Sequence, residues 1–241
     1  MNYTWDWAFF FQPDLNTGAP VWRLLLLGLY NTLAISACAW VIAVSVGSII
    51  GTIRTTQSPW LVRAGNVYVE VFRNVPLLVQ MFIWFFVLPE FITPLKSISY
   101  GTFQFTSAVL CLGTFTAARI AEQVRSGIQS LPTGQRYAGM ALGLNTVQTY
   151  RYVLLPMAFR IIIPPLTSET MNLIKNSTIA LTIGYAELTF RGVKEIAEYN
   201  FRFFEVYTVL TAIYIVVAMT ANRVMAFIEK RVAVPGFVGG K

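Results

Sequence analysis

The residues between Arg23 and Arg54 form one long apolar run that carries no charged side chain. A helix needs about 20 consecutive apolar residues to cross the hydrocarbon core of a bilayer. The run from Leu24 to Ile53 therefore predicts a membrane-spanning helix. Within it, Gly47 and Gly51 lie four positions apart, a spacing that allows a second helix to approach closely.

Composition extends the membrane assignment to the whole chain. Of the 241 residues, 56% are hydrophobic and only 12% are charged, whereas a soluble domain carries about 25% charged residues. The length suits one domain built from several spanning helices. The net charge of +7 does not require a nucleic-acid partner, because basic loops set the topology of membrane proteins. We expect lipid, and no nucleic acid, among the partners.

The chain lacks the side chains that most catalytic and metal sites use. It contains no histidine and no G-x-x-x-x-G-K-[ST] phosphate loop. Cys38 and Cys111 both lie in apolar runs, and we interpret them as buried small residues rather than as a disulfide or a metal pair. We expect no catalytic residue, no metal and no cofactor in this chain, so any ATP hydrolysis must come from another polypeptide.

Further apolar segments over 74–88, 103–124, 167–184 and 207–228 predict a total of five spans. An odd number places the termini on opposite sides of the membrane. Arginine and lysine are concentrated on the side of the C-terminus, which predicts a periplasmic N-terminus and a cytoplasmic C-terminus.

Segments outside the predicted spans differ in character. Residues 1–20 are rich in tryptophan and phenylalanine, which suits a segment at the membrane–water boundary. Residues 185–205 are too charged to span, and we expect an amphipathic helix at the outer surface. The cytoplasmic tail, 231–241, should be mobile.

Several charged side chains are spaced three residues apart near or inside spans. Glu70 and Arg73 predict a local ion pair at the membrane edge. Arg119, Glu122 and Arg125 follow the same spacing in the third span. They are either an ion ladder near the headgroups or functional groups, because ionisable residues at membrane depth are costly.

The fourth span is dense in hydrogen-bonding groups: Ser168, Glu169, Asn172, Lys175 and Asn176. Such side chains must face other protein or water rather than lipid. Two interpretations remain open. A Glu169–Lys175 network holds the helices together, or this face forms the wall of a substrate path.

Residues 134–156 read as a basic, amphipathic segment between the third and fourth spans. Tyr137, Met140, Ala141 and Leu144 share one face of a short helix, and Gly143 suits the left-handed position after its end. Asn145 and Gln148 predict a capping box for a second helix. We expect Pro156 to stop that helix, and the pair Pro164–Pro165 to break or kink the chain again.

Four stretches resemble the permease subunits of ABC importers for polar amino acids, of the histidine and glutamate/aspartate type. Gly143 followed by Leu155-Pro156 matches the spacing of the family's E-A-A-x-x-x-G loop, with Tyr137 in place of the glutamate and Gly139 in place of the second alanine. Residues 72–80 resemble F-R-G-T-P-L-L-V-Q, and residues 118–135 resemble A-Y-x-A-E-x-x-R-G-G-I-x-S-x-P-x-G-Q. Residues from Glu169 onward are similar to N-E-x-x-N-L-x-K-x-[ST]-[ST].

The resemblance implies an all-α membrane protein with five transmembrane helices and the type I ABC importer permease fold. It assigns 21–230 to the permease domain and 134–156 to a cytoplasmic coupling loop, in the inner membrane of a bacterium. The implied partners are a second permease subunit of different but related sequence, two ATPase subunits that bind ATP and magnesium, and a periplasmic amino-acid-binding protein. The implied ATPase-coupling residues are Tyr137, Ala138, Gly139, Ala141, Gly143, Leu155 and Pro156.

Arg119 stands where the family usually has an aromatic residue, and a cation there favours an acidic amino acid such as glutamate or aspartate. On this basis the substrate-binding candidates are Arg119, Glu122, Glu169, Asn172, Lys175 and Thr178. An alternative is a self-contained secondary carrier or channel, which would carry an inverted repeat. A membrane enzyme or scaffold is a third class, and the lack of catalytic constellations argues against the enzyme.

Overall fold

The computed structural model describes residues 3–91 and 99–232, and in these ranges the chain is almost entirely helical. The α-helices are α1 (Val21–Ile53), α2 (Pro59–Asn74), α3 (Leu77–Phe82), α4 (Leu88–Phe91), α5 (Tyr100–Gln129), α6 (Thr133–Ala141), α7 (Thr146–Thr149), α8 (Leu155–Asn176), α9 (Leu188–Phe190), α10 (Glu198–Asn200) and α11 (Phe203–Val232). Short 3-10 or π-helical segments comprise Trp7–Phe11, Ile83–Val87, Tyr150–Leu154, Ser177–Ile183 and Arg191–Ala197. The predicted all-α class is confirmed for this part of the chain.

Helices α1 and α11, with 33 and 30 residues, are long and apolar enough to cross a membrane. Helix α2 and the following Leu77–Phe91 together pass the same test and are bent by 103° at their break, so they count as a third span if taken as one. The first and last predicted spans are thus helices of spanning length, with wider bounds than the sequence indicated. The predicted third span lies inside α5, and the fourth runs from α8 into the 3-10 segment Ser177–Ile183. Their crossing of the membrane stays a prediction.

The second predicted span does not begin at Asn74, because Asn74 is the last residue of α2. Val75 has φ −80° and ψ 128°, an extended conformation, since a residue that precedes proline avoids the helical region. Residues 74–76 therefore form the corner between two helices, and α3 begins only at Leu77.

Two of the predicted helix breaks are wrong. The chain passes from the π-helical segment Tyr150–Leu154 directly into α8, with Pro156 at the second position of that helix. A proline ring clashes with the carbonyl four residues earlier, and the wider turn just before Pro156 changes the backbone spacing there. Pro164 and Pro165 lie inside α8, which is unbroken from Leu155 to Asn176, so this pair does not break the helix. A kink at this pair stays a prediction. Spanning helices tolerate internal proline because neighbouring groups satisfy the freed carbonyls.

The chain divides into two compact units. Unit 1 comprises Met1–Ala39, Leu77–Leu112 and Leu173–Thr220, and unit 2 comprises Trp40–Pro76, Gly113–Asn172 and Ala221–Lys241. The predicted mobile tail lies outside the described residues from position 233 onward.

Unit 1 is organised around an apolar cluster that joins the N-terminal segment to the starts of α1 and α11. Its buried members are Phe9, Phe10, Val21, Leu24, Leu25, Leu188, Ile196, Ala197, Val206 and Leu210. The Tyr3 hydroxyl donates a hydrogen bond to the Glu205 carboxylate, and Nη2 of Arg202 lies 3.1 Å from Oδ2 of Asp6. The N-terminal segment is therefore anchored by both packing and charge.

The charged stretch after position 185 folds as short helices within unit 1. Arg191 pairs with Glu195, and Lys194 with Glu198, each at 2.6 Å and one turn apart. The hydrogen bond from Lys194 to the Glu198 carboxylate raises the pKa of that ammonium. The stretch 185–205 is helical and amphipathic as predicted, and its position on the outer membrane surface stays a prediction.

The two cysteines differ in burial. Cys111 is buried as predicted, but Cys38 is exposed, so the prediction of a buried Cys38 is wrong. An apolar run shows that a helix avoids water, and it does not show which face is covered by the chain itself rather than by lipid or another subunit.

Unit 2 contains the close helix contact that the two glycines of α1 predict. A Cβ atom on Gly47 would lie 2.8 Å from the carbonyl oxygen of Ala117, and one on Gly51 would lie 2.6 Å from Cβ of Val124. Both distances are shorter than van der Waals contact, so α1 and α5 approach closely only because these positions lack side chains.

Candidate functional sites

The predicted helix–turn–helix segment is present in unit 2. Helix α6 ends at Ala141, and Gly143 has φ +81°. The amide of Gly143 donates to the carbonyl of Met140 at 3.0 Å, and the amide of Leu144 donates to that of Gly139 at 3.1 Å. A left-handed residue with these bonds closes a helix end, so the predicted glycine turn is confirmed.

The predicted capping box is also confirmed. The backbone N–H of Gln148 donates to the side-chain Oδ1 of Asn145, and the backbone N–H of Asn145 donates to the side-chain Oε1 of Gln148, both at 2.9 Å. These bonds satisfy amides at the start of α7 that have no partner within the helix. The junction between α6 and α7 is therefore fixed by local chemistry.

Apolar side chains of this segment point away from the chain. Tyr137, Leu142 and Val147 are 68%, 83% and 75% exposed, and Met140 is also exposed. Gly139 is buried, and a Cβ atom there would lie 3.1 Å from Cγ2 of Thr149. Among the other predicted coupling residues, Leu155 is half-buried and the rest are exposed: Ala138, Ala141, Gly143 and Pro156. The segment thus presents an apolar surface suited to a protein partner.

The second candidate site is an ion pair between α5 and α8. Nε of Arg119 lies 2.7 Å from Oε2 of Glu169, and Nη2 of Arg119 donates to Oε1 of Glu169 at 3.1 Å. Nε2 of Gln123 donates to the same Oε1 at 3.1 Å. The Glu169 side chain is only 6% exposed, whereas that of Arg119 is 41% exposed. One edge of the guanidinium is therefore held by Glu169 while the rest of the group stays accessible.

Glu122, one turn along α5, belongs to a different cluster. Its Oε2 accepts from Nη1 of Arg54 at 2.8 Å and lies 3.7 Å from Nη1 of Arg73. Its Oε1 lies 3.3 Å from Nη1 of Arg125. The Glu122–Arg125 rung of the predicted ladder is confirmed, while Arg119 pairs with Glu169 instead. Within the described residues Arg73 pairs with Glu122 and not with Glu70, so that predicted pair is wrong.

The remaining substrate candidates are divided between the two units. Asn172 is half-buried in unit 2. Lys175 and Thr178 belong to unit 1, where the Thr178 hydroxyl donates to the carbonyl of Lys175 at 2.9 Å and Lys175 is exposed. The carboxylate oxygens of Glu169 accept hydrogen bonds from Arg119 and Gln123, and the predicted Glu169–Lys175 network stays a prediction.

A cavity of about 380 Å³ opens beside Gln123 in unit 2. Its lining residues are Glu122, Gln123, Ser126, Gly127, Ser130, Ile161, Ile162 and Pro165. Because Gln123 also donates to Glu169, the cavity adjoins the ion pair. Its mixed polar and apolar lining resembles that of small-molecule sites.

Sequence reasoning missed the roles of Arg54 and Tyr150. The Arg54 side chain is buried, and its Nε donates to Oδ1 of Asn66 at 2.8 Å. A Cβ atom on Gly65 would lie 2.5 Å from Cγ of Arg54, so this glycine makes room for the arginine. An arginine directly after an apolar span indicates the side of the membrane on which the span ends. No local sequence pattern reveals that the Arg54 side chain is buried in the protein.

Tyr150 lies in the π-helical segment that follows α7 and is buried. Its hydroxyl donates to the carbonyl of Thr55 at 2.7 Å and lies 3.1 Å from the Thr55 hydroxyl. These contacts join the predicted coupling loop, 134–156, which we call the coupling segment, to the residues after α1. No spacing in the sequence predicts a pairing over such a separation.

Comparison with known proteins identifies the family of this chain. Residues 43–234 match the family described as the binding-protein-dependent transport system inner membrane component. The chain belongs to this family. It is 45% identical to the glutamate/aspartate import permease protein GltJ of Escherichia coli K12, over 100% of both chains. It is 33% identical to the glutamine transport system permease protein GlnP of the same organism, over 92% of this chain and 99% of that one.

Solved structures agree with the family assignment. The crystal structure of an amino acid ABC transporter with histidines has a chain that matches at 32% identity and a TM-score of 0.74, covering 87% of this chain and 94% of that chain. An inward-facing structure of the MetNI methionine ABC transporter matches with the same TM-score at 21% identity, over 89% of this chain and 99% of that chain, which shows the fold alone. The predicted ABC importer permease and its type I fold are confirmed, and the chain is a membrane-embedded component.

Proposed function

We propose that this chain is a permease subunit of a bacterial inner-membrane ABC importer that carries glutamate and aspartate. The observation that carries the proposal is the 45% identity over full length to a glutamate/aspartate permease. The geometry around Arg119 supports it, because a half-exposed cation beside a cavity matches a substrate with two carboxylates.

Arg119 has the capacity to hold a substrate carboxylate while it remains paired. A guanidinium carries five N–H donors, and the bonds to Glu169 use its Nε and Nη2. The remaining donors can form a charge-assisted bond with an acidic side chain. Glu169 would fix the orientation of the guanidinium, and Asn172, Lys175 and Thr178 stay candidates for other polar groups of the substrate. Glu122 is surrounded by arginines, which favours a structural role over contact with substrate.

The proposed assembly is the one that the family implies, and the exposed apolar surface of α6 and α7 supports it. ATP hydrolysis would take place in two ATPase subunits that hold ATP and magnesium, and the exposed surface of α6 and α7 would dock on one of them. A second permease of related sequence and a periplasmic binding protein would complete the importer. Five spans, with the N-terminus outside, put the coupling segment on the cytoplasmic side. ATPase closure would then move α6 and α7 and switch the polar path between outward- and inward-facing forms.

The decisive experiment is uptake into proteoliposomes that contain the complete importer, with a panel of amino acids and the binding protein supplied outside. We expect ATP-dependent uptake of glutamate and aspartate. A preference for glutamine or histidine would refute the acidic substrate, and uptake that persists without the ATPase would indicate a secondary carrier.

Arg119→Ala tests the substrate contact. A hydrogen bond to a charged group contributes about 1.5–3 kcal/mol, so glutamate uptake efficiency should fall about 10- to 100-fold. The matched control is Arg160→Ala, since Arg160 is exposed and forms no ion pair within the described residues. Normal glutamate uptake by Arg119→Ala, at equal membrane abundance, would contradict the contact.

A further inference from the structure

We propose that a continuous polar chain within unit 2 links the coupling segment to the Arg119–Glu169 pair, with Tyr150 and Arg54 as its positioning residues. The inference rests on the proposed function, because it explains how movement of α6 and α7 reaches the substrate path. Each of its steps is a contact between neighbouring groups or a stretch of one helix.

The first step joins the coupling segment to the end of α1. Tyr150 follows α7 without a break in the helical backbone, so its ring must move when α7 moves. The ring is buried, and its hydroxyl is bonded to the Thr55 carbonyl at 2.7 Å. Displacement of the coupling segment therefore acts on Thr55.

The second step joins the end of α1 to α5. Arg54 directly precedes Thr55, and its side chain is 5% exposed. Its Nη1 donates to Oε2 of Glu122, and its Nε donates to Asn66, both at 2.8 Å. Two bonds from one rigid guanidinium fix direction as well as distance. Gly65 leaves room for the Arg54 side chain because it has no Cβ atom.

The third step runs along α5 to α8. Glu122 and Arg119 are three residues apart on the same helix, and a helix transmits such a displacement as a rigid body. Arg119 then holds Glu169 of α8 through two bonds, and Gln123 adds a third. The end of the chain is thus the pair that we propose to meet the substrate.

The charged and polar groups that form these links favour a role in coupling over a role in stability alone. Removing an arginine and a glutamate from water is expensive, and well-packed apolar residues often serve stability equally well. A partly buried network with defined donors and acceptors, in which Arg54 and Glu169 are covered, instead specifies one arrangement. Movement at either end therefore changes the fit at the other, which is the property that a transport subunit requires.

Tyr150→Phe tests the first link, and Tyr152→Phe is its matched control. Tyr152 lies in the same π-helical segment and is exposed. Its hydroxyl forms no hydrogen bond with the part of the chain that the structure describes. Both variants are incorporated into the complete importer in proteoliposomes, where amino-acid uptake and ATP hydrolysis are measured together. One hydrogen bond contributes about 0.5–1.5 kcal/mol, so Tyr150→Phe should reduce uptake per ATP hydrolysed about 2- to 10-fold. Tyr152→Phe should match the wild type.

Arg54→Lys tests the second link. Lysine keeps the charge but cannot form both directed bonds, so Arg54→Lys should also reduce the amount of amino acid taken up per ATP hydrolysed. The double variant Tyr150→Phe/Arg54→Lys should be no worse than the poorer single variant, because both changes interrupt one chain.

The readouts separate failure of this inference from failure of the proposed function. An unchanged ratio in Tyr150→Phe, with an active wild type, overturns the inference alone. A parallel loss of uptake and ATP hydrolysis with a lower melting temperature shows a structural role for Tyr150 and also overturns it. A wild-type importer without ATP-dependent amino-acid uptake overturns the proposed function, and the inference with it.

Discussion

Arg119 and Glu169 form a pair whose members are covered unequally, and this asymmetry governs what their replacement does. Glu169 is buried, so removal of Arg119 leaves a carboxylate without its counter-charge, and removal of Glu169 leaves a half-exposed guanidinium. Unpaired buried charges are strongly destabilising. The pair therefore behaves as one residue-scale unit in stability, whatever its role in transport.

Arg119→Met should lower the free energy of unfolding by about 1–3 kcal/mol, because the buried Glu169 carboxylate is then left without its partner. The double variant Arg119→Met/Glu169→Leu should recover most of this loss, because no charge remains unpaired, yet glutamate uptake should stay low. Thermal unfolding of the purified chain in detergent, together with proteoliposome uptake, measures both. A double variant that transports normally would show that the pair serves stability alone.

Gly51 tests the close approach of α1 and α5. Gly51→Ala would place Cβ 2.6 Å from Cβ of Val124, and overpacking of this kind destabilises by about 1–3 kcal/mol. Gly101→Ala is the matched control, since a Cβ atom there meets nothing within 4 Å. The melting temperature should fall for Gly51→Ala and not for the control. Equal melting temperatures would mean that the helices separate without cost.

At the scale of elements, Gly143 acts at the junction between α6 and α7 through its backbone conformation rather than through side-chain contacts. Gly143 has φ +81° and a Cβ atom there would meet nothing within 4 Å. A side chain at this position therefore acts only through the strain of the left-handed region. This makes Gly143 a clean probe of the angle at which the coupling segment is presented.

Gly143→Ala should cost about 1–2 kcal/mol in the left-handed conformation, and the turn should relax by changing the direction of α6. We expect weaker retention of the ATPase during purification of the importer and lower uptake. Gly143→Asn should be milder, because asparagine tolerates this conformation. Gly134→Ala, in open space without positive φ, is the control. Full ATPase retention by Gly143→Ala would argue against a role for this turn in docking.

How well the sequence predicted the structure depended on the range of the interaction. The glycine turn at Gly143 and the Asn145–Gln148 capping box are local, and both appear as predicted. Pro156 was misjudged because the effect of a proline depends on the turn before it, and that turn is π-helical. Local rules assume ordinary helical geometry and fail where it changes.

Charge pairing was predicted poorly because spacing along one helix competes with partners on other helices. An ion ladder within α5 is one of the two interpretations that the spacing leaves open for Arg119, which instead pairs with Glu169 of α8. Glu122 accepts a hydrogen bond from Arg54, 68 positions away. An ion pair between helices depends on which faces meet, and periodicity in a single sequence does not contain that information. The residue types at the site were thus predictable, while their partners were not.

At the scale of the whole molecule, hydropathy alone identifies fewer spans than the five that we propose. Among the described residues, α1, α11 and the bent pair of α2 with Leu77–Phe91 pass as apolar spans. Helices α5 and α8 carry ionisable residues, and at least the pair Arg119–Glu169 is satisfied between them. Charged groups within membranes occur where they pair or face a polar interior. Two further crossings by α5 and α8 are therefore physically reasonable, and they give five.

The five-span arrangement predicts alternating accessibility along the chain. In a background without Cys38 and Cys111, a single cysteine replaces one exposed residue at a time: Leu15, Thr146, Tyr199 or Lys230. An impermeant maleimide added to intact spheroplasts should label Leu15→Cys and Tyr199→Cys directly, because both would face the periplasm. Thr146→Cys and Lys230→Cys should react only after permeabilisation. Labelling of Thr146→Cys in intact cells would place the coupling segment outside, beyond reach of any ATPase. Labelling of Lys230→Cys in intact spheroplasts, with Thr146→Cys protected, would instead mean that the number of spans after α7 differs from the two that we propose.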